Sequence, residues 1–582
     1  MLAMPAPEFG LLLAQAAGNS AEKPGAAVFV ALLVFIAASV WLGTLAQAAM
    51  DKRKYMEGFF LGNRGLGAWA LALTATVQSG GTFMGFPSLV YSHGWVVALW
   101  IGSYMVVPLT GFTILGKRLA QLSRRTNAIT VPDLLRTRFD DPRVGVAASL
   151  LIMLFMGFMM VAQFKAGAIV MKLSAGDLMA FSEEADVQID VQYYVGLAVF
   201  SLTVIGYTLI GGFLASVWTD LFQSVMMFFG VMALLVLALL AVDGGMEQAT
   251  RNAVANTSMA FASGPGYAPN SAHEFLPIGL AMSMFFVWIW GGFSSPASMV
   301  RVMAAQNTEV MRKSIFLLSC YNCCIYIPLI IICVCGRTIF PNLEQTDEII
   351  PRLAIHLTKE IPGGSMITAL ILAAPFGAIM ATVSCYLLVI SAGLVQDVYL
   401  RFVNPQATGK ELRMMTNISM IGVGVAAIVA VINPPTYLQA VVVMSTSVGA
   451  SALAIPMLMA CYWRRATATG TLTAMLAGAG TVLVLFGLGQ VHAALTAETS
   501  TSWVASLLGT DGMARMKEWL GPAQTIGMAK GFKPYFVLGL EPVVWGLLAS
   551  AVCGVGVSLA TRPPSEEHLQ KFFDTPAMNA KY

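Results

Sequence analysis

Thirteen apolar runs, each of twenty or more residues, recur along this chain, and nothing else constrains its fold as strongly. They lie near residues 27–50, 66–91, 94–116, 145–171, 192–211, 213–242, 275–299, 314–336, 364–399, 413–432, 437–462, 468–488 and 537–560. A helix rises about 1.5 Å per residue, so about 20 residues cross the hydrocarbon layer of a bilayer. The runs are continuous rather than alternating, which points to helices and away from a barrel. Only 11% of the residues are charged and 57% are hydrophobic, whereas a soluble protein carries roughly a quarter charged residues. The expected fold class is an all-α polytopic membrane protein with about 13 transmembrane helices.

Lys and Arg fall in alternate connections: Lys52 to Lys54 with Arg64, Lys117 to Arg143, Arg301 to Lys313, Arg401 to Arg413, Arg464-Arg465, and Arg562. The intervening connections are poorer in basic residues, and the one around Asp177, Glu183, Glu184, Asp186 and Asp190 is acidic. The positive-inside rule then puts residues 1–26 outside and the tail 561–582 in the cytoplasm of a cell (inner) membrane protein. That tail is polar and proline-containing, and loose order is expected of it. Two outer connections, 243–274 and 489–536, are long; the second reads as an amphipathic surface element. Cys323 and Cys324 are adjacent, but no histidine lies near them in sequence, and packing explains them better than a metal. The five histidines (His93, His273, His356, His492, His568) read as loop or tail residues, which argues against a membrane-embedded enzyme.

Three runs carry polar groups where lipid offers them nothing. In the second, Gly80-Gly81, Gly85 and Pro87 sit among Thr74, Thr76, Gln78 and Ser79. In the seventh, Gly291-Gly292, Ser294-Ser295 and Pro296 repeat the pattern. Both sets supply helix breakers, and irregular backbone at membrane depth is tolerated only against protein or a wet cavity. The ninth crowds Gly377, Ala378, Ala381, Thr382 and Ser384 into one stretch, which suits close packing or a buried polar ligand. Two broken helices five spans apart point to an inverted-repeat transporter, with spans two to six (66–242) and seven to eleven (275–462) as the repeats. No phosphate-binding loop appears, so direct ATP drive is not expected, nor is a nucleic-acid partner.

The chain resembles the sodium:solute symporter family, and its sodium/pantothenate branch most. The resemblance rests on Phe60-Leu-Gly-Asn-Arg-Gly-Leu-Gly67, Leu115-Gly-Lys-Arg through Thr130 with Asp133 and Leu134, and Gly211-Gly-Phe-Leu-Ala-Ser-Val-Trp-Thr-Asp220 with Gln223. Pro296 with Arg301, the ninth run through Asp397-Val-Tyr399, and Tyr462-Trp-Arg-Arg-Ala466 with Gly470 extend it. The family implies a leucine-transporter-type core of five plus five helices, flanked by accessory helices at 27–50 and 468–560. It also implies a co-transported sodium ion, no organic cofactor, and a small solute moved by alternating access.

By position, the ion's backbone ligands would be Ala75, Gln78 and Ala378, and its side-chain ligands the pair at 381 and 382. Ala381 departs from the family's Ser or Thr, so one oxygen is missing beside Thr382; proton coupling and uncoupled exchange stay open as alternatives. Asp220 matches an acidic position associated with the sodium path; an interfacial acid paired with a loop arginine is the plainer reading. Trp288 matches an aromatic position at the solute, and Gly292 replaces a tyrosine of related transporters, so proline specificity does not carry over. Gln78, Ser79, Thr82, Trp288, Ser294 and Ser295 are the candidate polar lining, suited to a monocarboxylate such as pantothenate. Lys165 lies outside the family motifs. It reads as a snorkelling lysine, as the counter-charge of a carboxylate solute, or as a tethered cation. A transporter-like sensor is the remaining alternative.

Overall fold

The computed structural model describes residues 26–48, 55–75, 79–175, 185–264, 278–432, 438–496, 511–512, 515, 518 and 534–573. Each apolar run carries helix where it is described. The helices used below are α1 (Ala26–Ala48), α2 (Ala68–Ala75), α3 (Phe86–His93), α4 (Val97–Val107), α5 (Lys117–Thr126) and α6 (Val131–Phe139). They continue with α7 (Pro142–Ala175), α8 (Ala185–Leu240), α9 (Ile278–Ser294), α10 (Pro296–Met303), α11 (Thr308–Ile339) and α12 (Ile349–Thr358). The last are α13 (Gly364–Ala392), α14 (Gly409–Val431), α15 (Leu438–Tyr462), α16 (Ala468–Thr496), α17 (Pro542–Ala560) and α18 (Glu566–Phe573).

Among the described residues, eleven helices are long and apolar enough to cross a membrane, and Gly81–Leu99 with Gly102–Thr126 forms a further pair bent by 54°. The difference from thirteen unbroken runs lies in the second and third of them. α2 is described as far as Ala75, and a wide π turn over Gly81–Gly85 precedes α3. α4 opens into another such turn over Pro108–Gly116. Glycine and proline frustrate the ordinary helical ladder at these places.

The packing is greasy outside and polar within. Val34, Leu202, Leu240, Phe316, Val429 and Val552 are each more than half exposed, a belt for lipid tails. α13 and α15 are almost wholly enclosed. Hydroxyls in the spans satisfy themselves on the carbonyl one turn back, as Thr208 does on Val204 and Ser201 on Leu197.

The basic connections gather on one face. Arg64 donates to Ser123 Oγ (2.7 Å) and Ala128 O (2.9 Å), Arg124 to Gln306 O (2.7 Å), and Arg401 pairs with Asp133 (2.7 Å).

The C-terminal tail belongs to this face too, and the expectation of loose order is overturned as far as Phe573; residues 574–582 lie outside the described set. α18 buries Leu569 and Phe572. Arg118 donates to Cys461 O (3.0 Å) and Phe572 O (2.9 Å), and Arg138 to Ala460 O (3.1 Å) and Trp463 O (3.3 Å). Both guanidinium groups lie over the Phe573 ring, 5.1 and 5.0 Å from its centroid. The last carbonyls of α15 lack partners in their own helix, and the two arginines supply them. Leu569, Phe572 and Phe573 sit three and four residues apart, so one apolar face holds the tail down. Phe572→Ala should remove about 3 kcal/mol of that docking. Limited proteolysis of the intact protein should then cut near residues 561–573 much faster than in wild type; equal rates would detach Phe572 from the docking.

Candidate functional site

A cavity lies between the two helix breaks. Ser79, Thr82, Trp288, Ser294 and Ser295, all proposed from sequence, line it. Gln78 lies outside the described residues. Sequence reasoning missed Tyr104, Ser298, Tyr326, Tyr386, Gln439, Ser445 and Thr446, which complete the polar part of the wall. Their signal was their chemistry: polar atoms inside membrane-depth helices face protein or a cavity. Trp288 stacks edge-on against Tyr104 at 5.7 Å between centroids, and Thr82 Oγ1 bonds the Tyr326 hydroxyl at 3.1 Å. Gln439 Oε1 is buried and meets no donor among the described residues. No charged side chain lines this cavity among the described residues.

The breaks differ in cause. At the first, Gly80 N–H donates to Gln163 Oε1 of α7 (2.7 Å) and Gly81 N–H to Ser79 Oγ (3.1 Å), so side chains replace the lost ladder. A Cβ at Gly80 would stand 2.8 Å from Ala166 Cβ and 3.3 Å from Ile379, which leaves room for glycine alone between α7 and α13. At the second, the backbone leaves the helix at Ser295 (ψ 118°) rather than at Gly291-Gly292. Pro296 forces this, because the residue before a proline is kept out of helical torsion. Gly291 and Gly292 stay helical and serve the close approach of Thr446 and Val107.

Beside the first break, α13 presents Ala378, Ala381 and Thr382, all buried. Thr382 Oγ1 donates to Ala378 O at 2.9 Å, which points its lone pairs away from its own helix. Ile379 next to Ala378 faces Gly80, so the ninth run does meet the broken second one. Ala75 is the last described residue of α2. Ser384, one turn from Ala381, donates to Ala381 O (3.0 Å) and lies 3.0 Å from Ser216 Oγ. Ser216 in turn reaches Asp220 Oδ2 at 3.4 Å. A line of oxygens therefore runs from α13 to Asp220.

Asp220 is buried, and its partner is Arg301 of α10, Nη2 to Oδ2 2.5 Å; Arg301 Nη1 lies 2.6 Å from Cys385 Sγ. The plainer reading, an interfacial acid facing a loop arginine, is corrected in its partner. Arg301 is helical, and the pair is enclosed, with side chains only 1% and 3% exposed.

Lys165 neither snorkels nor lines the cavity. Its Nζ lies 3.6 Å from Asp347 Oδ2 in the turn before α12, both residues being buried. Burial pushes the Asp347 carboxyl above its usual range, and Lys165 pulls it back. Its counter-ion is a carboxylate of the protein, which overturns the snorkelling reading and takes Lys165 from the solute. Four histidines read as loop or tail residues, His93, His356, His492 and His568, lie in helices α3, α12, α16 and α18. None of them lines the cavity.

The sequence is 28% identical over 471 residues to the sodium/pantothenate symporter of Haemophilus influenzae, covering 79% of this chain and 91% of that one. It is 26% identical over 473 residues to the sodium/proline symporter of Escherichia coli, covering 78% and 87%. A solved Na+-coupled sialic acid symporter, substrate-bound and outward-open, shares the fold with a TM-score of 0.63 at 19% identity, over 93% of this chain and 99% of that one. The pattern of the sodium:solute symporter family matches residues 59–478. That match runs through both helix breaks and the whole cavity wall between them, and on it the chain belongs to the sodium:solute symporter family.

Proposed function

We propose that the chain imports a small monocarboxylate, with pantothenate the first candidate, in symport with sodium by alternating access. The family makes it a sodium-coupled solute symporter rather than an enzyme. The observation that carries the finer reading is the cavity itself: roomy, aromatic and hydroxyl-lined, and without a charged side chain among its described residues. Such a wall suits an organic solute with hydroxyl and amide groups, to which Ser79, Thr82, Ser294, Ser295 and Gln439 offer hydrogen bonds. With Lys165 engaged by Asp347, the solute's carboxylate would be received by hydroxyls and by the start of α10, where a helix presents its positive end.

In this reading Ala75, Gln78 and Ala378 give the ion carbonyl oxygens and Thr382 a hydroxyl. A hard cation is held by several neutral oxygens without a buried net charge. Ser384 and Asp220 continue the path inward. Residues 66–242 and 275–462 are the two repeats that rock around the site. Residues 27–50 and 468–560 are accessory, and the basic face with α18 looks into the cytoplasm across the inner membrane.

The test is uptake into proteoliposomes of labelled pantothenate, lactate and proline, with sodium, with potassium, or with a proton gradient alone. Pantothenate uptake that needs sodium is expected, with little proline uptake. Proline as the preferred solute would overturn the solute assignment, and equal uptake on protons alone would overturn the coupling.

A further inference from the structure

We propose that a second pocket, on the basic face and away from the transport cavity, holds the phosphate group of an anionic phospholipid. It lies between α5 and the start of α11. Lys117, Gln121, Arg124 and Arg125 line one side, and Asn307 and Thr308 the other. No carboxylate lines it among the described residues; the nearby Glu309 pairs with Lys313 at 2.8 Å.

The charges are arranged rather than merely present. Lys117, Gln121 and Arg124 are four and then three residues apart, which puts them on one face of α5. Arg124 is held by the carbonyls of Ala305 and Gln306, and Arg125 by Phe572 O at 3.3 Å, so both guanidinium groups are fixed in place. Lys117 is exposed and makes no ion pair among the described residues. Opposite them α11 begins, its Val310 N–H capped by Asn307 at 2.8 Å, and a helix of this length directs its positive end into the pocket.

Depth decides between a lipid and a free anion. Ile114, three residues before Lys117, is 46% exposed, and Phe316, eight residues after Thr308, is 69% exposed. Ile114 is one turn from Lys117, and Phe316 is one turn beyond Lys313, so on both helices exposed apolar surface begins where the charges end. A free phosphate has no use for that wall, whereas a phospholipid would lay its acyl chains along it. The headgroup would then bridge α5 of one proposed repeat and α11 of the other.

The test uses purified, delipidated full-length protein in a neutral detergent. Phosphatidylglycerol, phosphatidylcholine and inorganic phosphate are each titrated and read by native mass spectrometry. Wild type should retain phosphatidylglycerol in preference to phosphatidylcholine, and inorganic phosphate should not displace it. Lys117→Gln should weaken retention about fivefold and Lys117→Gln with Arg125→Gln about twenty-five-fold, while Lys117→Arg stays near wild type. Retention that is the same in all variants, or phosphatidylcholine bound as well as phosphatidylglycerol, would overturn the proposal. Displacement by inorganic phosphate at equal concentration would mark a free-anion site and overturn the lipid. The wild-type comparison needs no variant to fold.

Discussion

Replacing Asp220 by asparagine or Arg301 by methionine, one at a time, should destabilise the protein by about 3–5 kcal/mol, because each change leaves one buried charge without its counter-ion. The pair is enclosed by α8, α10 and α13, and no second acid reaches Arg301 among the described residues. Replacing both together should restore most of the loss, since a buried ion pair is worth little against a neutral pair of similar volume. Thermal unfolding in detergent, followed by size-exclusion fluorescence, reads both effects. Single variants as heat-stable as wild type would mean that the two charges are reached by water and the enclosure is not real.

The same double variant separates stability from transport. If Asp220 serves the ion, a protein that folds without either charge still needs more sodium for uptake. If the pair only joins α8 to α10, sodium dependence stays where it was.

What could be read in the sequence follows from how local each cause is. Gly80-Gly81 announces the first break because a glycine pair at membrane depth marks close backbone approach, here of α7 and α13. Ser295 was harder, since the breaker acts on the residue before it, and the eye goes to Gly291-Gly292. The tail misled through its polar composition; its three apolar residues in one stripe were the better guide. Partnerships across the fold were not legible at all. Asp220 and Arg301 are 81 residues apart, and Lys165 finds Asp347 on a turn beyond four further spans. No periodicity links such positions, and only the packing of α7, α8, α10 and α13 brings them together. Gln439 and Tyr326 were visible as polar atoms in apolar helices, yet nothing in one sequence says which face of a helix a cavity will use.

Thr382→Ala should raise the sodium concentration needed for half-maximal uptake by about tenfold or more, and Ala381→Ser should lower it. A favourable contact between an oxygen and a charged group contributes about 1.5–3 kcal/mol, and tenfold is the smaller end of that range. The argument rests on where each hydroxyl can put its proton. Thr382 Oγ1 donates to Ala378 O, so its proton is turned toward its own helix, and its neighbour on α13, Ile379, packs against Gly80. Position 381 is buried and its carbonyl already accepts from Ser384, so a serine there adds an oxygen without disturbing the turn. Sodium titrations of uptake in proteoliposomes check both variants at once. Opposite shifts at two adjacent positions are hard to produce from general damage to α13, whereas one oxygen lost and one gained at a shared ion produces them directly. Sodium dependence unchanged in both variants would move the ion elsewhere and leave Thr382 as a helix hydroxyl bonded to its own backbone.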